Sequence, residues 1–149
     1  MTTIISNYSI PPFLTLYTQD ITLVSTTNAA YTDLKSVVVP ANTFKSCMFV
    51  TFTCRNRRAI AVSGNSNRTN VKIVLNATDV FEVQYPVCVS GDLATDEQTY
   101  TFGFNSNQAA PLTCDLTAAN TIKIQGKCTV DLGVAVYECD IRNLLIWGV

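Results

Sequence analysis

The 149-residue chain predicts an all-β fold: an antiparallel β-sandwich, jelly-roll-like, of about eight strands. Three observations carry this. Period-2 alternation of apolar and polar residues recurs along the chain, no i, i+3, i+4, i+7 pattern reaches helical length, and clusters of Ser, Gly, Asn and Asp separate the runs. At this length folding buries roughly two thirds of the surface that the unfolded chain exposes, so one core in one domain suffices. Charged residues make up only 14% against 48% hydrophobic. That excludes a disordered chain and leaves little charge to cover a monomer, so buried subunit contacts are expected.

In chain order, residues 1–20 form an extended N-terminal arm and residues 21–149 the sandwich. In the arm, Ile10-Pro11-Pro12-Phe13-Leu14-Thr15-Leu16-Tyr17 sets apolar residues around a Pro-Pro step that favours extended backbone. Such an arm packs across a neighbouring subunit or lies along its own sandwich as an edge strand; the residues alone leave both open. Strands are expected near residues 20–25, 34–39, 47–55, 71–76, 80–88, 98–104, 121–130 and 134–147. Val37-Val38-Val39 is stopped by Pro40-Ala41-Asn42. In the strand that follows, Met48, Val50, Phe52 and Cys54 share one face and Phe49, Thr51, Thr53 and Arg55 the other.

Val71, Ile73 and Leu75, then Phe81, Val83 and Tyr85, mark two half-buried strands joined through Asn76-Ala77-Thr78-Asp79. Tyr100, Phe102 and Phe104 line one face of the next, and Ile122, Ile124, Gly126, Cys128 and Val130 one face of the strand after it. The last segment alternates through Ala135, Tyr137, Cys139 and Ile141, then turns wholly apolar at Leu144-Leu145-Ile146-Trp147. A bulge near Arg142-Asn143 is expected there, with the strand beyond it covered on both faces by the partner sheet or another subunit. Eight antiparallel strands in two sheets is the jelly-roll number. The count does not separate a jelly roll from an immunoglobulin-like sandwich, although the Cys-Trp-Cys spacing of the latter is absent, Trp147 following every cysteine.

The chain has no histidine, which removes Ser-His-Asp, Cys-His and His-bearing zinc chemistry. Asp92, Asp96 and Glu97 sit close in sequence, but a solvated loop accounts for them better than a glycosidase pair on separate walls, and their spacing is not that of an EF-hand. No enzyme, cofactor or metal is therefore expected. Net charge is −1, with no run of Lys or Arg at either end to neutralise packaged nucleic acid. Met1 to Ser9 lacks the form of a secretion signal, and the apolar runs fall far short of about 18 residues, so no membrane span is expected.

Six cysteines without a C-x-x-C pair, in a chain whose core needs no staples, read as buried free thiols. Cys47 and Cys54 on a regular strand would lie about 23 Å apart. Cys128 with Cys139 is the pair to test first. Arg55-Asn56-Arg57-Arg58 with Arg68 is the one basic cluster, able to meet phosphate, a sialic acid or an acidic protein surface, or to be a solvated strand end. Arg57, Arg58 and Arg68 are thus a candidate ligand or partner loop. Phe13, Leu14, Leu16, Tyr17, Leu145 and Trp147 are the candidate interface with another subunit or, on what the resemblance given next implies, with a capsid. The rings of Tyr85, Tyr100 and Trp147 fit core or interface better than sugar stacking.

Val-x-Val-Pro-Ala-Asn-Thr-Phe at Val37 to Phe44, Val71-Lys72-Ile73-Val74-Leu75-Asn76, and Asn120-Thr121-Ile122-Lys123-Ile124-Gln125-Gly126 together resemble small jelly-roll modules of bacteriophage virions, as in head fibres, capsid decoration proteins and tail-associated proteins. The resemblance runs from about residue 22 onward. It departs from the family where Lys45-Ser46-Cys47 replaces a glycine-rich connection, and in its cysteine count. It implies a homotrimer assembled through sandwich edges on the outside of a virus particle, put together in the host cytoplasm and contacting other virion proteins. The expected function is that of a non-enzymatic structural virion protein. A module binding a host glycan or receptor, through loops near Arg57 to Asn70 and Ser90 to Glu97, and a small coat protein are the alternatives.

Overall fold

The computed structural model describes residues 14–58, 69–84, 96–106, 114–128 and 137–149. Among them are nine strands and no helix: β1 (Thr15–Asp20), β2 (Val24–Thr26), β3 (Thr32–Val39), β4 (Met48–Arg58), β5 (Thr69–Leu75), β6 (Thr78–Gln84), β7 (Asp96–Phe104), β8 (Asn120–Cys128) and β9 (Tyr137–Gly148). The first sheet has the order β1-β9-β4-β7, with β2 also on β9; the second has the order β3-β8-β5-β6, and all pairings are antiparallel. Both β1 and β2 lie along β9, so they are two halves of one broken strand. Each sheet then has four strands, and apart from the β5–β6 hairpin every step along the chain crosses from one sheet to the other. That interleaving is the double Greek key of a jelly roll, which decides between the two sandwiches that strand count left open. Of the twenty residues read as an arm, Thr15–Asp20 form an edge strand of the chain's own sheet; residues 1–13 lie outside the described residues.

Alternation places the core. Met48, Val50, Phe52 and Cys54 point inward from β4 and are fully buried, facing Val71, Ile73 and Leu75 of β5 and Ile122 and Ile124 of β8. On β9 the inward parity changes: Cys139 and Ile141 are buried, then Leu144 and Ile146. The expected bulge does this. Thr51 pairs with Leu145 and Thr53 with Arg142, so Asn143 and Leu144 together oppose Phe52, and Asn143 takes a left-handed φ of 57°. The apolar run Leu144 to Trp147 is therefore half core and half outer face. The break between β1 and β2 falls opposite this bulge, residues 21–23 facing Arg142-Asn143.

The three segments that carry the family resemblance meet at one end of the sandwich. Pro40 ends β3, Asn42 turns through φ 60° and donates its N–H to Leu116 O at 2.8 Å, Thr43 Oγ1 donates to Pro40 O at 2.8 Å, and Phe44 is buried. Asn76 and Ala77, at φ 49° and 69°, make the two-residue turn of the β5–β6 hairpin. Asn76 Nδ2 donates to Asn120 Oδ1 at 2.9 Å, and Asn120, itself buried, donates to Asp115 O and Ala118 O. A side chain at Gly126 would place its Cβ 2.7 Å from Cys139 Sγ and from Leu34 Cδ1. These residues are there to close the sandwich and let its sheets approach.

Candidate interaction surfaces

The outer face of the first sheet is built by the residues that alternate with the core. One row crosses four strands: Leu16 on β1 opposite Trp147 on β9, Trp147 opposite Phe49 on β4, and Phe49 opposite Gly103 on β7. The Phe49 and Trp147 rings stack at 4.3 Å between centroids, 17° from parallel, and a Cβ at Gly103 would stand 3.0 Å from the Phe49 ring. Glycine there makes room for the ring. Leu16 is 41% exposed, whereas Phe49, Trp147 and Leu145 are half-buried. The next rows are hydroxylic: Thr51 meets Thr101 and Thr53 meets Thr99, each pair at 2.9 Å, and Trp147 Nε1 donates to Thr51 Oγ1 at 3.3 Å. Beyond them Arg55 donates through Nε and Nη2 to Oδ2 of the buried Asp140, at 2.9 and 2.6 Å, and Arg142 pairs with Glu97.

The broken strand and β3 form the adjoining edge of the sandwich. Leu16, Tyr17, Ile21, Leu23 and Val38 are exposed along it, and Tyr17 OH donates to Val38 O at 3.1 Å, reaching from one sheet to the other. Beneath them lies Lys35, its side chain only 2% exposed. Its ammonium donates to Asp20 Oδ2 at 2.6 Å, Thr22 O at 2.6 Å and Thr22 Oγ1 at 2.7 Å. All three ammonium protons are used, and the end of β1 and the break that follows it are pinned to the opposite sheet. At the other edge Phe81, Tyr100 and Phe102 pack with centroids 5.1 to 6.5 Å apart, so Tyr100 belongs to the sandwich seam.

The outer face of the second sheet is polar. Lys123 and Gln125 both donate to Asp33, Lys72 pairs with Asp79 at 2.9 Å, and the Lys72 and Lys127 ammoniums stand 4.3 and 4.4 Å from the Tyr31 ring centre. Tyr31 OH donates to Glu82, which also accepts from Asn70 Nδ2 at 2.8 Å. Burial and the Glu82 carboxylate push the Tyr31 phenol well above its ordinary range, while the hydrogen bonds from Tyr31 and Asn70 pull Glu82 below its own. An open groove of about 500 Å³ runs over β5 and β8, bounded by Lys72, Asp79, Lys123 and Gln125 with Val74 beneath them.

Of the sequence-derived interface residues, Leu16, Leu145 and Trp147 come together on one face, Tyr17 lies at its edge and Leu14 is half-buried beside it; Phe13 is outside the described residues. Arg57 and Arg58 lie at the end of β4, opposite Glu138 and Tyr137, and Arg68 is outside the described residues. Sequence reasoning passed over Phe49, whose row with Trp147 appears only once β4 and β9 are known neighbours. It passed over Lys35 too, because a lone strand lysine reads as a solvated one. Among the described residues Cys47, Cys54, Cys114, Cys128 and Cys139 form no disulfide, and all but Cys47 are buried; Cys88 lies outside the described residues. Burial pushes Cys128 up to about 11 and raises Cys47, Cys114 and Cys139 as well, so none of these four is an activated nucleophile at neutral pH. Among the described residues no group of three or more Cys, Asp or Glu is placed to hold a metal ion, and no helix is long and apolar enough to cross a membrane.

No family model and no curated protein matches the sequence. Among solved structures, the chain is similar to the T13 viral particle of infectious bursal disease virus, at 14% identity and TM-score 0.54 over 96% of this chain and 35% of that one. It is similar to the VP2 subviral particle of the same virus at 10% identity and TM-score 0.53, over 99% of this chain and 37% of that one. The insecticidal delta-endotoxin Cry8Ea1 of Bacillus thuringiensis matches at 13% identity and TM-score 0.48, over 83% of this chain and 19% of that one. This chain spans about a third of the length of the viral chains. What is shared with the two viral-particle chains at such identities is the fold, a β-sandwich.

Proposed function

We propose that this protein is a non-enzymatic structural component of a virus particle, a jelly-roll module that assembles as a homotrimer and decorates the capsid or forms part of a head fibre or tail. The observation that carries the reading is the apolar row Leu16–Trp147–Phe49 on the outer face of the first sheet, continuous with Leu145 and with exposed Tyr17, Ile21, Leu23 and Val38 at the edge. A monomer keeping that much apolar surface beside only 14% charged residues has a surface suited to association. The fold shared with a viral capsid protein and the bacteriophage resemblance of the closing turns support the same reading. The trimer contact is assigned to Leu14, Leu16, Tyr17, Leu145 and Trp147, together with Phe13, which is outside the described residues.

Light scattering on the purified protein tests this. A mass three times that of the 16.3 kDa chain is expected, falling to a single chain in Leu16→Lys/Trp147→Lys with the circular dichroism of the wild type. A monomer of the wild-type protein at all concentrations would refute the trimer. Attachment of labelled protein to particles lacking it, seen by electron microscopy, tests the place on the virion. A second reading is a module that binds a host glycan: the loops expected to do so, near Arg57 to Asn70 and Ser90 to Glu97, lie mostly outside the described residues, and the groove on the second sheet is a different site that favours the reading.

A further inference from the structure

We infer that the groove on the outer face of the second sheet binds a sugar bearing one acidic group, a carboxylate or a sulfate, by placing that group between Lys72 and Lys123. This deepens the glycan-binding reading and stands apart from trimer assembly, which uses the opposite sheet. A volume of about 500 Å³ falls within the range of small-ligand sites and suits one or two sugar rings. Its floor is Val74, 6% exposed although it points away from the core, so a small apolar patch lies under a polar rim. Lys72 pairs in register with Gln125 and Val74 with Lys123, which makes the two lysines diagonal neighbours on β5 and β8. Side chains so placed start about 7–8 Å apart at the backbone and converge on one anion.

The present partners of these lysines are exchangeable. Asp79 is 59% exposed and Asp33 40%, and ion pairs whose carboxylates stand in water like this contribute little to stability. A ligand oxyanion that also hydrogen-bonds Gln125 replaces them at small cost. Lys72 is already held in place against Tyr31 at 4.3 Å, and Tyr31 in turn by Glu82, so one wall is fixed before binding. The described charges of the face balance, Lys72, Lys123 and Lys127 against Asp33, Asp79 and Glu82. That balance favours a ligand with a single acidic group over a polyanion such as nucleic acid.

The test is NMR titration of the intact protein with 3′-sialyllactose, a monosulfated disaccharide, lactose and inorganic sulfate. Binding of either acidic sugar with a Kd of order 1 mM is expected, with shifts at Lys72, Val74, Lys123 and Gln125. Lys72→Gln and Lys123→Gln should each weaken it about tenfold, as loss of one charge-assisted hydrogen bond does. The two acidic sugars separate carboxylate from sulfate recognition. The inference is overturned if neither acidic sugar binds, if lactose binds equally well, if sulfate alone reproduces the affinity, or if the double variant, folded by circular dichroism, binds undiminished. Oligomeric state measured on the same samples keeps a failed trimer distinct from a failed site.

Discussion

Replacing Asp20 by Asn interrogates the pin that holds the broken first strand. Asn keeps an oxygen for the Thr22 N–H and hydroxyl, which Asp20 Oδ1 now accepts at 2.9 and 2.6 Å, but its amide presents donors to the Lys35 ammonium. Lys35 is 2% exposed and has nowhere to rehydrate, whereas Asp20 is 36% exposed. A fully buried pair broken on one side costs about 3–5 kcal/mol and an exposed one about 0–1. With one end dry and the other wet, a loss of about 1–3 kcal/mol is expected, or a fall of roughly 3–10 °C in Tm for a chain of this size. Equilibrium urea unfolding at pH 7 measures it as a lower midpoint at unchanged slope.

The pH dependence has a definite sign. Burial alone would raise the Asp20 carboxyl, but hydrogen bonds from Lys35 and Thr22 hold it below its ordinary value of 3.8. A carboxyl depressed in the folded state contributes stability that is complete above the unfolded value and is lost as pH falls through the folded one. The gap between wild type and Asp20→Asn should thus be constant from pH 6 to 8 and close below about pH 4. Equal urea midpoints at pH 7, or a gap that persists in acid, would refute the argument. Asp20→Asn/Lys35→Met removes the stranded charge and should recover part of the loss.

Three further outcomes are expected. Ala77 holds φ 69° in the β5–β6 turn, so Ala77→Gly should raise stability by about 0.5–1 kcal/mol, seen as a higher urea midpoint. Gly126→Ala brings a Cβ to 2.7 Å from both Cys139 Sγ and Leu34 Cδ1, and should cost about 1–3 kcal/mol, because both neighbours are buried and have little room to give. With a disulfide-exchange reagent at pH 8, Cys47, which is partly exposed, should be labelled before Cys128, shifted up to about 11, and Cys139, which should react only at the rate of unfolding; labelling of Cys128 ahead of Cys47 would contradict its burial.

The sandwich was legible because most strands turn one face to the core. Met48 to Cys54 and Ile122 to Cys128 alternate without interruption, and the structure buries the face that the alternation marked. The bulge on β9 was legible for the same reason, as an alternation that changes parity between Ile141 and Leu144. A similar change lies between buried Leu34 and Val39, where β3 shifts register at Lys35, and it was the available sign that this lysine points inward. The break between β1 and β2 left no such mark, since Leu16, Ile21 and Leu23 are apolar yet exposed. Leu16, Leu145 and Trp147 were nameable one by one from apolar runs; that they share a face with Phe49 depends on strand order, which alternation does not encode. The groove on the second sheet has the same origin, its residues coming from separate strands that are each polar on that side.

The strand order also has a consequence for synthesis. Each sheet is centred on a strand from late in the chain: β8 lies between β3 and β5, and β9 between the broken first strand and β4. While the nascent chain still lacks β8 and β9, only β4 with β7 and β5 with β6 have their partners among the described residues, and β1, β2 and β3 have none there. The sandwich therefore closes only after its last strand has left the ribosome. Folding of this kind, dominated by distant pairings, is slow and leaves apolar strand edges open in the meantime, which sets a premium on chaperone binding or dilute expression for recovering native protein.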